Sequence, residues 1–244
     1  MEKKCSAVII GVGPEQGLGA TLSKYFAGKG LHVFIAGRSE EKLHKFADKI
    51  RQNGGFATPV VADATVERDV VHLFKIAQGD DYSLDIAAYN VDSNIPSPLL
   101  ETDTETFTSL WQQNCLGAFF FGKEAVKAMQ GRQKGTLFFT GATASLRAKP
   151  PFTAFAAAKA GLRALAQGMA REFGPHGIHV VHTIIDGVID GERARNQFPD
   201  YVMAKGKDGL LQLGAIAETY WAIHQQHPSA WTHELDLRPF KEPF

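Results

Sequence analysis

The sequence predicts an α/β fold: one doubly wound parallel sheet of about seven strands, with helices on both faces as a three-layer α/β/α sandwich. Three observations predict it. Apolar runs of strand length alternate with segments of helical period along the 244 residues. Those runs show little in/out alternation, as strands buried on both faces must. The first run leads straight into a glycine-rich turn, "GVGPEQGLGA" at 11–20, and then into a helix-period segment. Right-handed crossovers between such units give the double winding.

"AVIIGV" (7–12) is the first strand. Its charged approach and short apolar stretch resemble a signal peptide superficially, but the stretch is too short and ends in a glycine turn. Leu18 to Lys29 is helical, "HVFIA" (32–36) is a strand and Glu40 to Arg51 a helix. "ATPVVAD" (57–63) leads into a helix over Val66 to Ala77, and "LDIAAYN" (84–90) is the fourth strand. In "ETDTETF" (101–107) a Thr102–Glu105 capping box opens a long helix reaching about Met129. "GTLFFTG" (135–141) is a strand, followed by a helix from about Phe152 to Phe173 and the strand "GIHVVHTII" (177–185). Residues 188–213 read as irregular, Ala215 to His227 as helix and "HELDL" (233–237) as a last short strand. No repeat, Pro/Ser-rich linker or charge block divides the chain, so a single domain over 1–244 is expected.

Lys+Arg and Asp+Glu are both 26, a net charge of zero. That leaves no electrostatic footprint for nucleic acid or an anionic membrane, and no apolar run approaches membrane-helix length. Cys5 and Cys115 are the only cysteines. They make neither a disulfide framework nor a metal spacing, and a reducing cytoplasm fits best. The 9 histidines are scattered with no His-x-x-x-His pair beside a carboxylate, so no metal is expected.

Ligands of such sheets sit at the carboxyl ends of the strands. There, Gly13, Gly17 and Gly19 form G-x-x-x-G-x-G, with Leu18 opening the helix. Glycine lets backbone N–H groups approach a pyrophosphate, and the helix N-terminus adds partial positive charge. Glycines after a strand can also be a plain turn, but a strand before and a helix after favour a dinucleotide. At the tip of the second strand an acidic residue would hold the adenosine ribose of NAD. Gly37 stands there, followed by Arg38 and Ser39. A guanidinium suits the 2′-phosphate of NADP and the hydroxyl can add a hydrogen bond, so NADP(H) is favoured over NAD(H). The plainer reading of Arg38 is an exposed arginine starting a helix.

With these residues in place, the chain resembles the short-chain dehydrogenase/reductase family, of Rossmann-type fold, over nearly its whole length. The glycine spacing 13–19 is that family's. The resemblance implies that Asp63 contacts adenine and that Asn114, inside "WQQNCLGAFF", is the active-site asparagine. It implies that Lys159 binds the nicotinamide ribose, and that the backbone at Gly187 and Val188, within "IIDGVID", meets the nicotinamide amide. Asn90 is what remains of the family's Asn-Asn-Ala-Gly, here "YNVD" (89–92). The departures fall on the chemistry. Phe155 stands at the proton-donating tyrosine, Ala142 at the serine and Asp186 at the proline of Pro-Gly.

A general acid contributes about 10²–10⁴ in rate, whereas positioning can supply an effective molarity of about 10⁵–10⁸ M. Loss of the phenol therefore weakens the usual reaction without forbidding it. Thr140, Thr143, Ser145, Thr153 and Tyr201 are alternative donors, although turn or cap hydroxyls explain the first three as well. Asp186 and Asp190 qualify if desolvated, against a plainer reading as loop carboxylates in water. Lys159 qualifies if buried. His182 reads as a satisfied core histidine.

The alanine-rich helix "FTAFAAAKAGLRALAQGMAREFG" packs closely on the sheet or on a second copy, and the resemblance implies a homodimer or homotetramer. Residues 188–213 read as a mobile substrate lid. Its Arg193, Arg195, Lys205 and Lys207 either meet an anionic substrate or are solvated. The expectation is an atypical NADP(H)-dependent short-chain oxidoreductase acting on a small molecule. The alternatives are a non-catalytic NADP(H)-binding sensor or scaffold, and a structural subunit without cofactor.

Overall fold

The computed structural model describes residues 3–79, 81–206 and 208–242. Seven strands are present: β1 (Lys4–Ile10), β2 (His32–Gly37), β3 (Phe56–Val61), β4 (Tyr82–Tyr89), β5 (Gly135–Ala142), β6 (Ile178–Ile185) and β7 (Glu234–Leu237). They form one sheet in the order β3-β2-β1-β4-β5-β6-β7, and every pairing is parallel. Strand order reverses between β1 and β4, and the crevice outside their carboxyl ends is where such sheets bind ligands.

Successive residues of a strand face opposite ways, so each strand feeds two cores. Ala7 and Ile9 of β1 join one face with α1 (Leu18–Gly28), α2 (Glu40–Gln52) and α9 (Leu213–His224). Val8 and Ile10 join the other face with α3 (Glu67–Ala77), α5 (Gly117–Gln130) and α6 (Thr153–Phe173). Leu22, Phe26 and Tyr220 fill the first face, and Phe74, Phe121 and Leu162 the second. Full burial of each such side chain stabilises by about 1.5–3 kcal/mol.

Several boundaries differ from the sequence expectation. β1 begins at Lys4 and ends at Ile10, because Gly11 at φ +91° already turns the chain. The helix expected to run unbroken to Met129 is α4 (Thr104–Trp111), a π-helical turn at Gln112–Leu116, and then α5. Its cap is Asp103, whose Oδ1 accepts from the Thr106 amide at 2.7 Å. Thr102 does not cap; its hydroxyl bonds Ser97 and Pro98 instead. The stretch expected to be irregular holds α7 (Glu192–Gln197) and α8 (Pro199–Lys205). Among the described residues, no helix is long and apolar enough to cross a membrane.

Candidate active site

The loop after β1 is shaped by backbone-on-backbone contact. A Cβ on Gly19 would lie 2.6 Å from the Gly11 carbonyl oxygen, so only glycine lets α1 start this close to the turn. Gly11 itself has positive φ and lies against the Asn90 backbone, where a Cβ would come within 2.6 Å. The glycine run quoted from the sequence contains Gly11, but the 13–19 spacing passes over it. Gly13 differs: a Cβ there would meet nothing within 4 Å. Gly17 caps α1 with no side-chain hydrogen bond, and no acidic residue stands in the first turn. The leading N–H groups and the positive end of the helix dipole therefore face the crevice. At the tip of β2, Arg38 and Ser39 are exposed, and Ser39 caps α2 through its backbone while its hydroxyl stays out of the cap. Asp63 lies beyond β3, its carboxylate accepting from the Thr65 amide at 2.8 Å and hydroxyl at 2.7 Å. The open space at Gly13, the bare helix start and the exposed Arg38–Ser39 pair fit the phosphates of a dinucleotide.

The second half of the site follows β4, β5 and β6. The Asn90 amide donates to the Ile10 carbonyl at 3.0 Å, tying the loops after β1 and β4 together. Asn114 lies in the π turn, a geometry that recurs at functional sites. Its Nδ2 donates to Leu110 O at 2.9 Å and Ser93 O at 3.2 Å, while Oδ1 is buried with no partner. That orphaned acceptor costs free energy in the ligand-free site and asks for a donor. The turn is fixed from below by Tyr89, whose hydroxyl donates to Gln113 O at 2.5 Å. Burial pushes the Tyr89 phenol well above its usual range, so it is a structural donor only.

Lys159 sits on α6 and is 1 % exposed. Its ammonium donates to Thr140 O at 3.0 Å and pairs with Asp92 Oδ1 at 3.1 Å. The Phe155 ring, one helical turn earlier, has its centroid 5.7 Å from Nζ. Ala142 ends β5, and its amide donates to Ser145 Oγ at 3.2 Å. Of the other hydroxyls considered as donors, those of Thr140 and Thr143 are engaged. Thr140 Oγ1 bonds Tyr220 Oη at 3.0 Å, and Thr143 Oγ1 donates to Asp186 at 2.5 Å. Thr153 and Tyr201 are exposed, and the ammonium of Lys205 lies over the Tyr201 ring.

Three sequence expectations are corrected here. Asp186 is not a carboxylate in water: it is buried and takes Thr143, Arg147 at 2.8 Å and Arg238 at 2.5 Å. Burial pushes its pKa up, but the Thr143 hydrogen bond and the two guanidinium charges outweigh that and hold it below the usual carboxylate value. Asp190 is likewise paired, with Arg195 at 2.6 Å. The lid cations are not poised for an anion. Arg193 meets Asp92 at 3.5 Å and Asn94, Arg195 meets Asp190, and Lys205 meets Glu242 at 2.5 Å; Lys207 lies outside the described residues. His182 is only half satisfied. Its Nδ1 bonds Glu234 Oε2 at 2.9 Å, but Nε2 is buried without a partner. Gly187, at φ +149°, packs against Pro239, and the Val188 carbonyl accepts from the Leu211 amide at 2.9 Å. Asp92, the partner of Lys159, was passed over in the sequence. Its one signal was a carboxylate where the resembled family has glycine. Among the described residues, no cluster of three or more His, Cys, Asp or Glu could hold a metal ion.

The sequence matches the family model described as short chain dehydrogenase over residues 7–201. An uncharacterized oxidoreductase of Staphylococcus aureus is 26% identical over 184 residues, covering 75% of this chain and 78% of that protein. A very-long-chain 3-oxoacyl-CoA reductase of Podospora anserina is 27% identical over 176 residues, covering 70% of this chain and 52% of that one. Among solved structures, a short-chain dehydrogenase from Rhodopseudomonas palustris is 36% identical with a TM-score of 0.83, covering 98% of this chain and 100% of its own. An actinorhodin polyketide ketoreductase crystallised with NADPH superposes with a TM-score of 0.87 at 18% identity, over 97% of this chain and 96% of that one, a likeness of fold.

Proposed function

The chain belongs to the short chain dehydrogenase family of NAD(P)-dependent oxidoreductases, and from that premise we propose that it is an atypical NADP(H)-dependent member acting on a small-molecule carbonyl or alcohol. The observation that carries the NADP(H) reading is the exposed Arg38–Ser39 pair at the tip of β2, where no carboxylate competes for a ribose hydroxyl. A guanidinium there matches a 2′-phosphate. Gly13, Gly17, Leu18 and Gly19 would hold the pyrophosphate, Asp63 and Asn90 the adenosine half, and Gly187 and Val188 the nicotinamide amide, with Lys159 beside the nicotinamide ribose. The bound cofactor supplies or accepts the hydride.

The chain's own groups do the rest. Lys159 brings its amino group to the reacting end, and the orphaned Asn114 Oδ1 accepts a hydrogen bond from ligand or water. Phe155 and Ala142 stand where the family carries its phenol and hydroxyl; they move no proton and exclude water. We also propose that the protein is a cytoplasmic homodimer or homotetramer, associating through α4 and α5, whose Phe107, Trp111 and Phe119 are exposed.

Titration with NADPH and NADH, followed by cofactor fluorescence, tests the reading. NADPH is expected to bind at least about tenfold more tightly, roughly 1.4 kcal/mol. Arg38→Ala should erase that preference while leaving NADH binding alone. Binding of neither cofactor would leave a structural role as the better account.

A further inference from the structure

Three features around Lys159 belong together. Its ammonium has three N–H groups, and two are engaged, by Thr140 O at 3.0 Å and Asp92 at 3.1 Å. The Phe155 ring lies close by, its centroid 5.7 Å from Nζ, and it offers no proton and accepts none. Asp92 is 37% exposed while Lys159 is buried, so the carboxylate joins the buried ammonium to solvent. Arg193, from the first turn of α7, holds Asp92 from its other side at 3.5 Å. At the end of β5, Thr143 Oγ1 donates to Asp186, Thr140 Oγ1 pairs with Tyr220 Oη, and Ser145 Oγ accepts from the Ala142 amide.

We propose that Lys159 and Asp92 form a proton-transfer dyad in place of the missing phenol. Lys159 Nζ is the proton donor to the substrate oxygen, and Asp92 is the positioning residue that holds the ammonium and reconnects it to water. This rests on the oxidoreductase reading above. The exchange replaces one N–H or O–H acid by another: an ammonium, like a phenol, carries a proton that it can give to a developing alkoxide. Both are far stronger acids than the alcohol being formed. In the reducing direction a bound reduced nicotinamide would supply the hydride that becomes the new C–H bond at the carbonyl carbon. The C=O π pair moves to oxygen, an Nζ–H bond of Lys159 breaks and an O–H bond forms. Nζ is left as a neutral amine. Asp92 takes a proton from solvent and passes it to that amine, which restores the ion pair. The sum is one hydride and one solvent proton added across the carbonyl.

The test uses the full chain and its Asp92→Asn, Asp92→Glu, Lys159→Arg and Phe155→Tyr variants. Each is measured for NADPH affinity, thermal midpoint and NADPH oxidation against a panel of aldehydes, ketones and quinones. Asp92→Asn is expected to keep NADPH affinity within about threefold while kcat falls about 10²-fold at little-changed KM. Asp92→Glu should recover most of that loss. Lys159→Arg keeps the charge but holds its proton too tightly to give it up, and should abolish turnover. An unchanged kcat in Asp92→Asn overturns the dyad. NADPH affinity falling in step with rate also overturns it, making Asp92 a ribose ligand. So does a parent that binds NADPH yet reduces nothing in the panel, whether or not Phe155→Tyr gains activity. Failure of every variant to bind NADPH sinks the cofactor reading itself, and the dyad with it.

Discussion

Gly13 and Gly19 lie six residues apart in one motif, yet they are glycine for different reasons. At Gly19 the constraint is internal, since a Cβ would meet the Gly11 carbonyl at 2.6 Å. At Gly13 the protein leaves open space. Gly13→Ala is therefore expected to keep the thermal midpoint of the ligand-free protein and lose NADPH affinity, by about tenfold or more if the methyl displaces a phosphate. Gly19→Ala should lower the midpoint as well, by a few degrees, because the backbone must shift. Equal stability of the two variants in scanning calorimetry would contradict this division. The motif was legible because its spacing is local. Asp92 was not, since its meaning comes from Lys159, which the fold brings to this loop from α6. Asp186 was misread for the same reason: "DGV" in a loop looks solvated until Arg147 and Arg238 arrive from the loop after β5 and the segment after β7.

Elements, rather than residues, were read most reliably from the sequence. Every strand and most helices follow from apolar runs and their period. The π turn at Gln112–Leu116 does not, because one extra residue in a turn leaves the surrounding helical period intact. The short edge strand β7 shows what else periodicity hides. Glu234 takes a bidentate pair from Arg163 of α6, with both contacts at 2.7 Å, and also bonds His182 of β6. The Arg163 hydrogen bonds, with help from His182, hold the Glu234 carboxyl down to about 2. Burial lowers His182 to about 4, against the raising effect of Glu234. As pH falls from 6.5 toward 4, the unfolded chain takes up a proton at His182 that the native protein refuses, so stability is lost. From 4.5 toward 2 the same holds for Glu234, whose native form stays ionised. Both act in one direction, and stability is retained above 6.5. Urea unfolding between pH 7.5 and 4 is expected to show a falling midpoint, and His182→Gln should flatten that fall. An equal slope in the variant would place the acid lability elsewhere.

At the scale of the whole molecule, the two apolar faces of the sheet hold the core of the chain, and Phe107, Trp111 and Phe119 are among the large apolar side chains left exposed. If they are covered by a second copy, sedimentation velocity will give a dimer or tetramer mass, and Trp111→Glu will shift it toward the monomer. A monomeric parent would remove that proposal. The segment after β6 has a different reach. The Glu192 amide donates to Gln16 O at 2.9 Å in the glycine loop, and Arg193 meets Asp92 in the loop after β4. In the sheet, β6 is three positions from β1, about 14 Å at ordinary strand spacing. The segment therefore bridges the carboxyl edge of the sheet at two places, through a backbone hydrogen bond at the glycine loop and through Arg193, paired with Asp92 and Asn94, at the loop after β4. Passage to the glycine loop beneath that bridge requires an anchor to part on the way in and again on the way out. Association by that route is expected to be gated by the opening rather than by diffusion. Salt, which screens the exposed ion pair but leaves the backbone bond alone, should quicken entry and exit together.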